Sequence, residues 1–377
     1  MPGLYVHIPF CKQACHYCDF HFSTRQRTRD QVMEAIRKEL WDRADEFKDQ
    51  TLDTIYLGGG TPTILHPEEL RLLFNEIEGS YDIKEGAEIT LECNPDDVTD
   101  ARSSMWRHLG FNRLSIGIQS FSDHHLQAMN RIHDSEDGIR CVQLAKDNGF
   151  ENISIDLIYG LPDSSIDEWS DALDTAISLG INHVSAYHLT IEPNTVFHKW
   201  VKDGKIKPVD DSQSEEQFIM LRERLISAGF DHYEVSNFAR SGFVSQHNSS
   251  YWRGNHYMGV GPSAHSFNGS HRRWNISNNV LYSKLVASEG NYFDSESLSA
   301  HTRANELIMT GLRTSWGLNL REIDRLIGLP FTAQVNNTVS SWVDNDLATR
   351  ENDVVRLTSK GWMLADGLAS DLFIIEP

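Results

Sequence analysis

The sequence is poor in basic residues and has no long apolar run. Its 377 residues include 34 lysines and arginines against 54 aspartates and glutamates, so the formal net charge is 34 − 54 = −20. A field of that sign repels phosphate backbones and disfavours general nucleic-acid binding. The best apolar stretch, residues 153–161, is too short to cross a bilayer and contains Asp156. The N-terminus has neither the basic nor the apolar region of a signal peptide, so we expect a cytoplasmic protein without an integral membrane segment.

Cysteine is also scarce, and its odd count of five argues against a disulfide framework. Cys11, Cys15 and Cys18 nevertheless fall within eight residues, in C-x3-C-x2-C spacing, which in a reducing cytosol indicates a metal site. Three thiolates can hold a [4Fe-4S] cluster and leave one iron open to an exogenous ligand. Zinc is the alternative, because His16 or His21 could supply the fourth ligand of a closed site.

Short β-like runs alternate with amphipathic helical stretches through the first 240 residues. Most of the β-like runs are apolar on both parities, as expected of parallel strands buried on both faces. Four helical stretches end at a glycine that leads into the next run, which indicates a repeated β/α unit. The unit fits a β/α barrel or a doubly wound open sheet. The predicted strands are residues 4–8, 53–57, 88–92, 113–118, 153–158 and 183–189.

We divide the chain into three parts. Residues 1–240 carry the β/α repeat. Residues 241–290 are rich in glycine, serine, asparagine, histidine and aromatics, and we interpret them as a loop-rich connector that carries function. Residues 291–377 predict a small, mainly helical domain with a winged-helix character. Seven basic and twelve acidic residues in this last part give a net charge of −5, which disfavours a DNA-binding role.

The motifs resemble those of radical S-adenosylmethionine (SAM) proteins in the coproporphyrinogen oxidase-like branch. The resemblance starts at Tyr5-Val-His-Ile-Pro-Phe-Cys and covers essentially the whole chain. It implies a partial (β/α) barrel of the TIM-like radical SAM type with an appended C-terminal domain. The further motifs, in chain order, are GGGTP from Gly58, ECNP from Glu92, GIQSF from Gly117, NR at Asn130 and DLIYGLP from Asp156.

The resemblance also implies a set of cofactor-binding residues. Cys11, Cys15 and Cys18 would bind the [4Fe-4S] cluster, and SAM would bind the open iron. Most of the implied SAM contacts fall at or just beyond the ends of predicted strands, which is the functional face of a β/α barrel. The implied SAM contacts are Tyr5, Tyr17, Gly59, Gly60, Thr61, Glu92, Gln119, Arg131 and Asp156.

Two features separate sub-families within this branch. Oxygen-independent coproporphyrinogen oxidases have another cysteine two residues after the third, and this chain has Phe20 there. The pattern is instead similar to HemW-type haem chaperones, whose second signature, H-N-x-x-Y-W, is matched by His247, Asn248, Tyr251 and Trp252. The resemblance implies that these residues bind haem, with His247 as an iron ligand, and that haem passes to an acceptor protein. The alternative function is radical SAM decarboxylation of a porphyrinogen.

Overall fold

A computed structural model describes residues 2–47 and 50–375. Residues 1, 376 and 377, which bound two of the predicted domains, lie outside the described residues. The first part of the chain alternates strands and helices as predicted. The strands are β1 (Gly3–Ile8), β2 (Leu52–Gly59), β3 (Ile83–Cys93), β4 (Arg113–Gln119), β5 (Asn152–Tyr159) and β6 (His183–His188). The helices are α1 (Arg29–Asp42), α2 (Pro67–Ser80), α3 (Asp100–His108), α4 (Asp123–Ala128), α5 (Ser135–Asp147) and α6 (Ile166–Ser178).

The six strands pair in chain order, each parallel to the next, which confirms the predicted partial β/α barrel. Glycines with positive φ follow the helices α3, α5 and α6, at Gly110, Gly149 and Gly180. Such a backbone ends a helix at low cost only in glycine, so the chain turns there into the next strand.

The strands alternate between a polar and an apolar face, and the prediction that they are apolar on both parities was wrong. The apolar face packs against the helices and is fully buried, with Leu4, Leu57 and Leu114 as examples. The polar face lines the inside of the barrel. Its members from β1 to β6 include Tyr5, His7, Thr54, Tyr56, Glu88, Thr90, Glu92, Arg113, Ser115, Ser154, Asp156, His183 and Ser185.

The segment 241–290, predicted as loops, contains regular structure. Its glycine, serine and asparagine content misled the sequence reading, because these residues are placed in tight turns between short elements. After α7 (Val196–Lys202), α8 (Asp211–Ser227), β7 (Asp231–Glu234) and β8 (Asn237–Ala239), the segment forms a helix, three strands and a second helix. These are α9 (Gln246–Trp252), β9 (Tyr257–Val260), β10 (His265–Phe267), β11 (His271–Asn275) and α10 (Asn279–Ala287).

These strands extend the barrel sheet at its first edge. β9 pairs parallel to β1, and β10, β11 and β12 (Phe293–Ser297) follow in antiparallel order. β12 lies past the predicted boundary at residue 290 and still pairs with β11, so the sheet continues to Ser297. At the other edge β8 and β7 follow β6.

The C-terminal part is a small domain of helices around a three-stranded sheet, in agreement with the predicted winged-helix character. The sheet order is β13–β15–β14, and both pairings are antiparallel. Its elements are α11 (Ala300–Leu312), β13 (Leu318–Asn319), α12 (Leu320–Ile327), α13 (Phe331–Gln334), α14 (Asn336–Asp344), β14 (Ala348–Glu351), β15 (Val354–Leu357), α15 (Ser359–Trp362) and α16 (Ala365–Asp371).

One buried carboxylate on α1 fastens the sheet extension to the barrel. Glu39 is fully buried and accepts hydrogen bonds from the Gly261 amide at 2.9 Å and the Tyr282 hydroxyl at 2.6 Å. The Asn275 amide donates to both of its oxygens, and Arg43 pairs with it at 2.9 Å. A buried charge is tolerated only when it is paired and hydrogen-bonded, so this network fixes α10 and β9–β11 against α1.

We expect Glu39→Ala to lower the free energy of unfolding by about 3–5 kcal/mol, because it removes the buried acceptor of Gly261, Asn275 and Tyr282 and one of the two carboxylates that pair with the buried Arg43. Urea unfolding followed by tryptophan fluorescence measures the change. Glu34→Ala is the control, since Glu34 lies exposed on the same helix and should change stability by less than about 0.5 kcal/mol. Equal losses in the two variants would contradict the anchoring role.

Candidate functional site

A cavity of about 440 Å³ opens where the parallel strands of the barrel end. The carboxyl ends of parallel strands meet at one edge of a sheet, and this edge carries the sites of β/α barrels. Alternate residues of the strands line the cavity, which identifies the polar face of the barrel as the inner one. Of the predicted cluster and SAM residues, Cys11, Cys15, Tyr17, Cys18, Gly59, Gly60, Thr61, Glu92, Gln119, Arg131 and Asp156 line it, and Tyr5 does not.

Backbone hydrogen bonds and one ion pair hold the cysteine loop over this cavity. The Cys11 amide donates to Ser23 O at 3.1 Å, and the Thr61 amide donates to Phe10 O at 2.7 Å. Lys12 lies 2.6 Å from carboxylate oxygens of both Asp96 and Asp97, in the turn after β3. The loop is therefore tied to the ends of β1, β2 and β3.

The far side of the loop is fastened to the turn after α4. Asn130, in a left-handed conformation with φ of 60°, donates from its side chain to Ala14 O at 2.7 Å. Its own carbonyl accepts from the Gln13 side chain at 2.9 Å. Asparagine is among the residues that adopt this conformation with least strain, which accounts for its place there.

The three thiols lie close enough to affect one another. Burial, and to a smaller extent the neighbouring Cys18 and Cys15 thiols, raise the pKa of Cys11 to about 12. No three His, Cys, Asp or Glu side chains in the described ranges converge on one single-ion position. A four-iron cluster does not require the ligands to converge on one ion, because each thiolate binds a separate iron. The residues present fit such a cluster.

The alternative zinc ligands point to other partners. His16 Nδ1 lies 2.8 Å from Ala128 O, and its ring contacts Trp200 edge-on. His21 Nε2 lies 2.7 Å from the Asn279 side-chain oxygen. In this structure neither imidazole completes a four-ligand site with the cysteines.

The glycine run is required by close packing of the cysteine loop. Gly59 has a φ of 108°, and a Cβ there would lie 2.6 Å from the His7 ring. A Cβ at Gly60 would lie 2.6 Å from Phe10 O. A side chain at Gly59 would displace the His7 ring of β1, and one at Gly60 would push Phe10, and with it the start of the cysteine loop, away from the strand ends.

Two half-buried carboxyls, Glu92 on β3 and Asp156 on β5, line the cavity. Glu92 Oε1 accepts from the Tyr56 hydroxyl at 2.7 Å and Oε2 accepts from the Gly59 amide at 3.1 Å. Burial raises the pKa of Glu92 to about 7 and that of Asp156 to about 6. Ser115 donates to Asp156 at 3.3 Å. These groups can accept hydrogen bonds from hydroxyls or an ammonium of a bound molecule.

Arg131 braces the cavity wall beside the cysteines. Its guanidinium donates to Gly117 O at 2.6 Å and Asn94 Oδ1 at 2.7 Å, and lies 3.4 Å from Cys15 Sγ. Gln119 has a φ of 68°, a strained conformation for a residue with a side chain, at the end of β4. Such strain is concentrated at functional sites, where surrounding contacts enforce it.

Arg113 is a residue that the sequence reading missed. It is 1% exposed, and among the described residues its Nε and Nη1 have no hydrogen-bond partner. Its positive charge lowers the pKa values of Glu92 and Asp156 against the larger effect of burial. An arginine on the same face as Ser115 and Gln119 in the strand RLSIGIQ was the available signal.

The H-N-x-x-Y-W motif lies at the opposite end of the barrel from the cysteines. It forms α9, whose first amides, from Gln246 and His247, donate to the Glu88 carboxylate at 3.0 and 2.9 Å. Glu88 and Thr54 are near the starts of β3 and β2, at the floor of the barrel. The motif's Trp252 lies toward the C-terminal domain, with Arg313 5.8 Å from its ring.

His247 is 1% exposed and both of its ring nitrogens are engaged. Nδ1 lies 2.8 Å from Thr54 Oγ1 and Nε2 lies 2.8 Å from the Tyr251 hydroxyl. An axial haem ligand needs one free nitrogen and an open face beside it. In this conformation His247 has no free ring nitrogen, and the haem roles of His247, Asn248, Tyr251 and Trp252 stay predictions.

Comparison with known proteins gives matches to both domains. The Radical SAM superfamily profile matches residues 5–176, and the HemN C-terminal domain profile matches residues 298–364. The structure superposes on coproporphyrinogen III oxidase (HemN) from Escherichia coli with a TM-score of 0.86 at 24% identity, over 99% of this chain and 90% of that one. This likeness shows the fold. No helix in the described part of the chain has the length and apolarity needed to cross a membrane.

Full-length relatives resolve the sub-family. A protein of Bacillus subtilis named "Heme chaperone HemW" is 32% identical over 372 residues, 97% of each chain. One of the same name from Haemophilus influenzae is 31% identical over 99% of this chain and 98% of that one. A third, from Escherichia coli, is 37% identical over 70% and 69% of the two chains. The chain belongs to the HemW family of radical SAM proteins.

Proposed function

We propose that the protein is a haem chaperone that binds haem and a SAM-ligated [4Fe-4S] cluster and passes the haem to an acceptor protein. The observation that carries the proposal is the convergence of Cys11, Cys15 and Cys18 on one cavity in a chain of the HemW family. We further propose that the protein is cytoplasmic, that its partners are haem and an acceptor protein, and that it does not bind nucleic acid. The charge of −20 supports the last point.

In this proposal Cys11, Cys15 and Cys18 hold the cluster, and its open iron is where SAM would bind. A cluster with SAM supplies one-electron chemistry to such a site. The chain's own residues bind and orient the cofactor: Glu92 and Asp156 accept its donors, and Arg131 neutralises negative charge near Cys15. Gly59, Gly60 and Thr61 let the backbone approach closely.

The apolar rim of the cavity is the surface on which we propose that haem binds. Phe20, Ile132 and Tyr187 line the cavity mouth and are 70%, 51% and 45% exposed. Exposed side chains of this size are costly in water and typical of binding surfaces. His188 lies at the same rim, exposed, with Nε2 3.0 Å from Ser214 Oγ, and its Nδ1 is our candidate iron ligand.

Cys15→Ala should abolish the cluster, since Fe–S ligation by two remaining thiolates does not hold four irons. Iron and sulfide analysis after anaerobic reconstitution measures the loss. Cys141→Ala, which removes a buried thiol on α5, should retain full iron and sulfide. Undiminished iron in the Cys15 variant would contradict the proposed cluster site.

Coproporphyrinogen decarboxylation should be absent or marginal. The position of the additional oxidase cysteine is Phe20, an exposed apolar side chain at the cavity mouth. The assay is product formation by the reconstituted protein with SAM and a reductant. Turnover on the order of 1 per second or more, a rate ordinary for enzymes, would favour the oxidase alternative.

Haem titration of single-histidine variants tests the haem site. We expect His188→Ala to shift the Soret band and weaken haem binding at least about tenfold, a loss of about 1.4 kcal/mol. His247→Gln should keep the wild-type spectrum, because its ring nitrogens already bond to Thr54 and Tyr251.

His108→Ala is the matched control, an exposed histidine on α3 away from the cavity. If His247→Gln removes the Soret shift and His188→Ala does not, α9 must open to bind haem and the rim site is wrong. If neither the wild-type protein nor any variant binds haem, the chaperone proposal itself fails.

A further inference from the structure

The two signatures of this chain are connected through the inside of the barrel. The cysteine loop covers the carboxyl ends of the strands, and α9 lies at their amino ends. Between the two ends the inner face carries polar side chains, several of which bond to a neighbour in separate pairs. Polar groups removed from water need such partners, so a contact between two of these pairs can connect the floor to the cavity.

His247 is held rigidly at the floor. Its ring bonds to Thr54 on one side and Tyr251 on the other, at 2.8 Å each. A Cβ added to Gly3 of β1 would lie 3.3 Å from the ring, so the strand packs directly against it. Burial lowers the pKa of His247 to about 3, which keeps the imidazole neutral and able to donate one bond and accept the other.

Tyr56 stands between His247 and the cavity. The imidazole stacks on the Tyr56 ring with a centroid separation of 5.1 Å and an interplanar angle of 28°. The hydroxyl at the other end of Tyr56 donates to Glu92 Oε1 at 2.7 Å. Tyr56 is 7% exposed, and Tyr5 packs against both rings, with centroid separations of 6.0 Å from Tyr56 and 6.4 Å from His247. One rigid ring thus links α9 to a cavity carboxylate.

We infer that Tyr56 is a positioning residue for Glu92 and that the histidine of the H-N-x-x-Y-W motif acts on the SAM site through it. The inference rests on the proposed function, because Glu92 matters here as a SAM contact. His247 would thereby influence the cofactor site at the carboxyl ends of the strands, although it lies at their amino ends. A misplaced Glu92 would lose both the orientation and the charge that a cofactor hydroxyl or ammonium requires.

The protonation state of Glu92 makes the role of Tyr56 measurable as a pH dependence. The Tyr56 hydrogen bond stabilises the ionised form, so its removal raises the Glu92 pKa above the present value of about 7. Cofactor binding that needs the carboxylate then requires a higher pH. The ionisable groups that face Glu92 from the other elements are Tyr5 of β1, Arg113 of β4, Asp156 of β5, Tyr187 of β6 and Tyr251 of α9.

The first experiment measures SAM affinity of the reconstituted protein by equilibrium dialysis between pH 6 and 9. Tyr56→Phe should weaken binding on the order of tenfold at pH 7, as expected for loss of a hydrogen bond to a charged group. The lower midpoint of its pH profile should move upward. Tyr81→Phe is the matched control: its hydroxyl is equally buried and donates to Leu40 O at 2.7 Å, outside the barrel interior. It should leave affinity and profile unchanged.

A double-mutant cycle decides whether His247 acts through Tyr56. His247→Ala should weaken SAM binding in the wild-type background and add little in the Tyr56→Phe background. A generally loosened protein would lose affinity in both backgrounds alike. Equal affinity and the same pH profile for wild type and Tyr56→Phe would overturn the positioning role, and full additivity would remove His247 from it.

A measurement without cofactors separates this inference from the proposed function. Carboxyl stretching bands in the infrared follow protonation of Glu92 in the cluster-free protein, and Glu92→Gln assigns the band. Tyr56→Phe should raise the midpoint of that titration, and Tyr81→Phe should not. If wild type fails to bind SAM, the proposed SAM site is wrong. An unchanged Glu92 titration in Tyr56→Phe would by itself disprove the link between Tyr56 and Glu92.

Discussion

The structure depends on one constraint: the polar side chains on the inner face of the barrel are largely removed from water, so most of them bond to a neighbouring side chain or lie near an opposite charge. A buried guanidinium such as Arg113 or a half-buried carboxylate such as Glu92 is costly to remove from water, and the cost falls when an opposite charge or a hydrogen bond compensates it. Burial raises the Glu92 pKa, and Tyr56 and Arg113 lower it. The balance leaves a carboxyl that can gain or lose a proton near neutral pH, beside the cysteine loop.

The same constraint explains why the chain continues past the sixth parallel strand. Thr54 and Glu88 would be left unpaired at the amino ends of their strands. α9 supplies the His247 ring to Thr54 and two backbone amides to Glu88. The helix is then fixed by the strands that follow it, because β9 pairs with β1 and Glu39 anchors the extension. Residues 241–290, which their composition led us to interpret as a connector, form the floor of the barrel and extend one edge of its sheet.

Local patterns in the sequence were sufficient to predict the parallel strands, the helices between them and the cysteine loop. The six parallel strands and the glycine stops follow from periodicity and φ preferences that act over a few residues. The polar inner face was not predicted, because single serine, threonine and tyrosine residues between apolar neighbours do not show by themselves on which face of the sheet their side chains lie. The haem role expected of His247 stays a prediction, but its place at the floor of the barrel could not be predicted. Its bond to Thr54 joins residues 193 positions apart, and no spacing rule reveals such a contact.

The cavity mouth and the barrel interior differ in how well they tolerate substitution. The cysteine loop is held by backbone bonds, the Lys12 ion pairs and close approach to Gly60, none of which involves the side chain at position 20. Phe20 extends from that loop into solvent at the cavity mouth. A substitution there alters the rim without disturbing a bond of the interior. Tyr56, by contrast, cannot change without affecting both His247 and Glu92. Specificity at the mouth can therefore diverge between relatives while the interior stays the same.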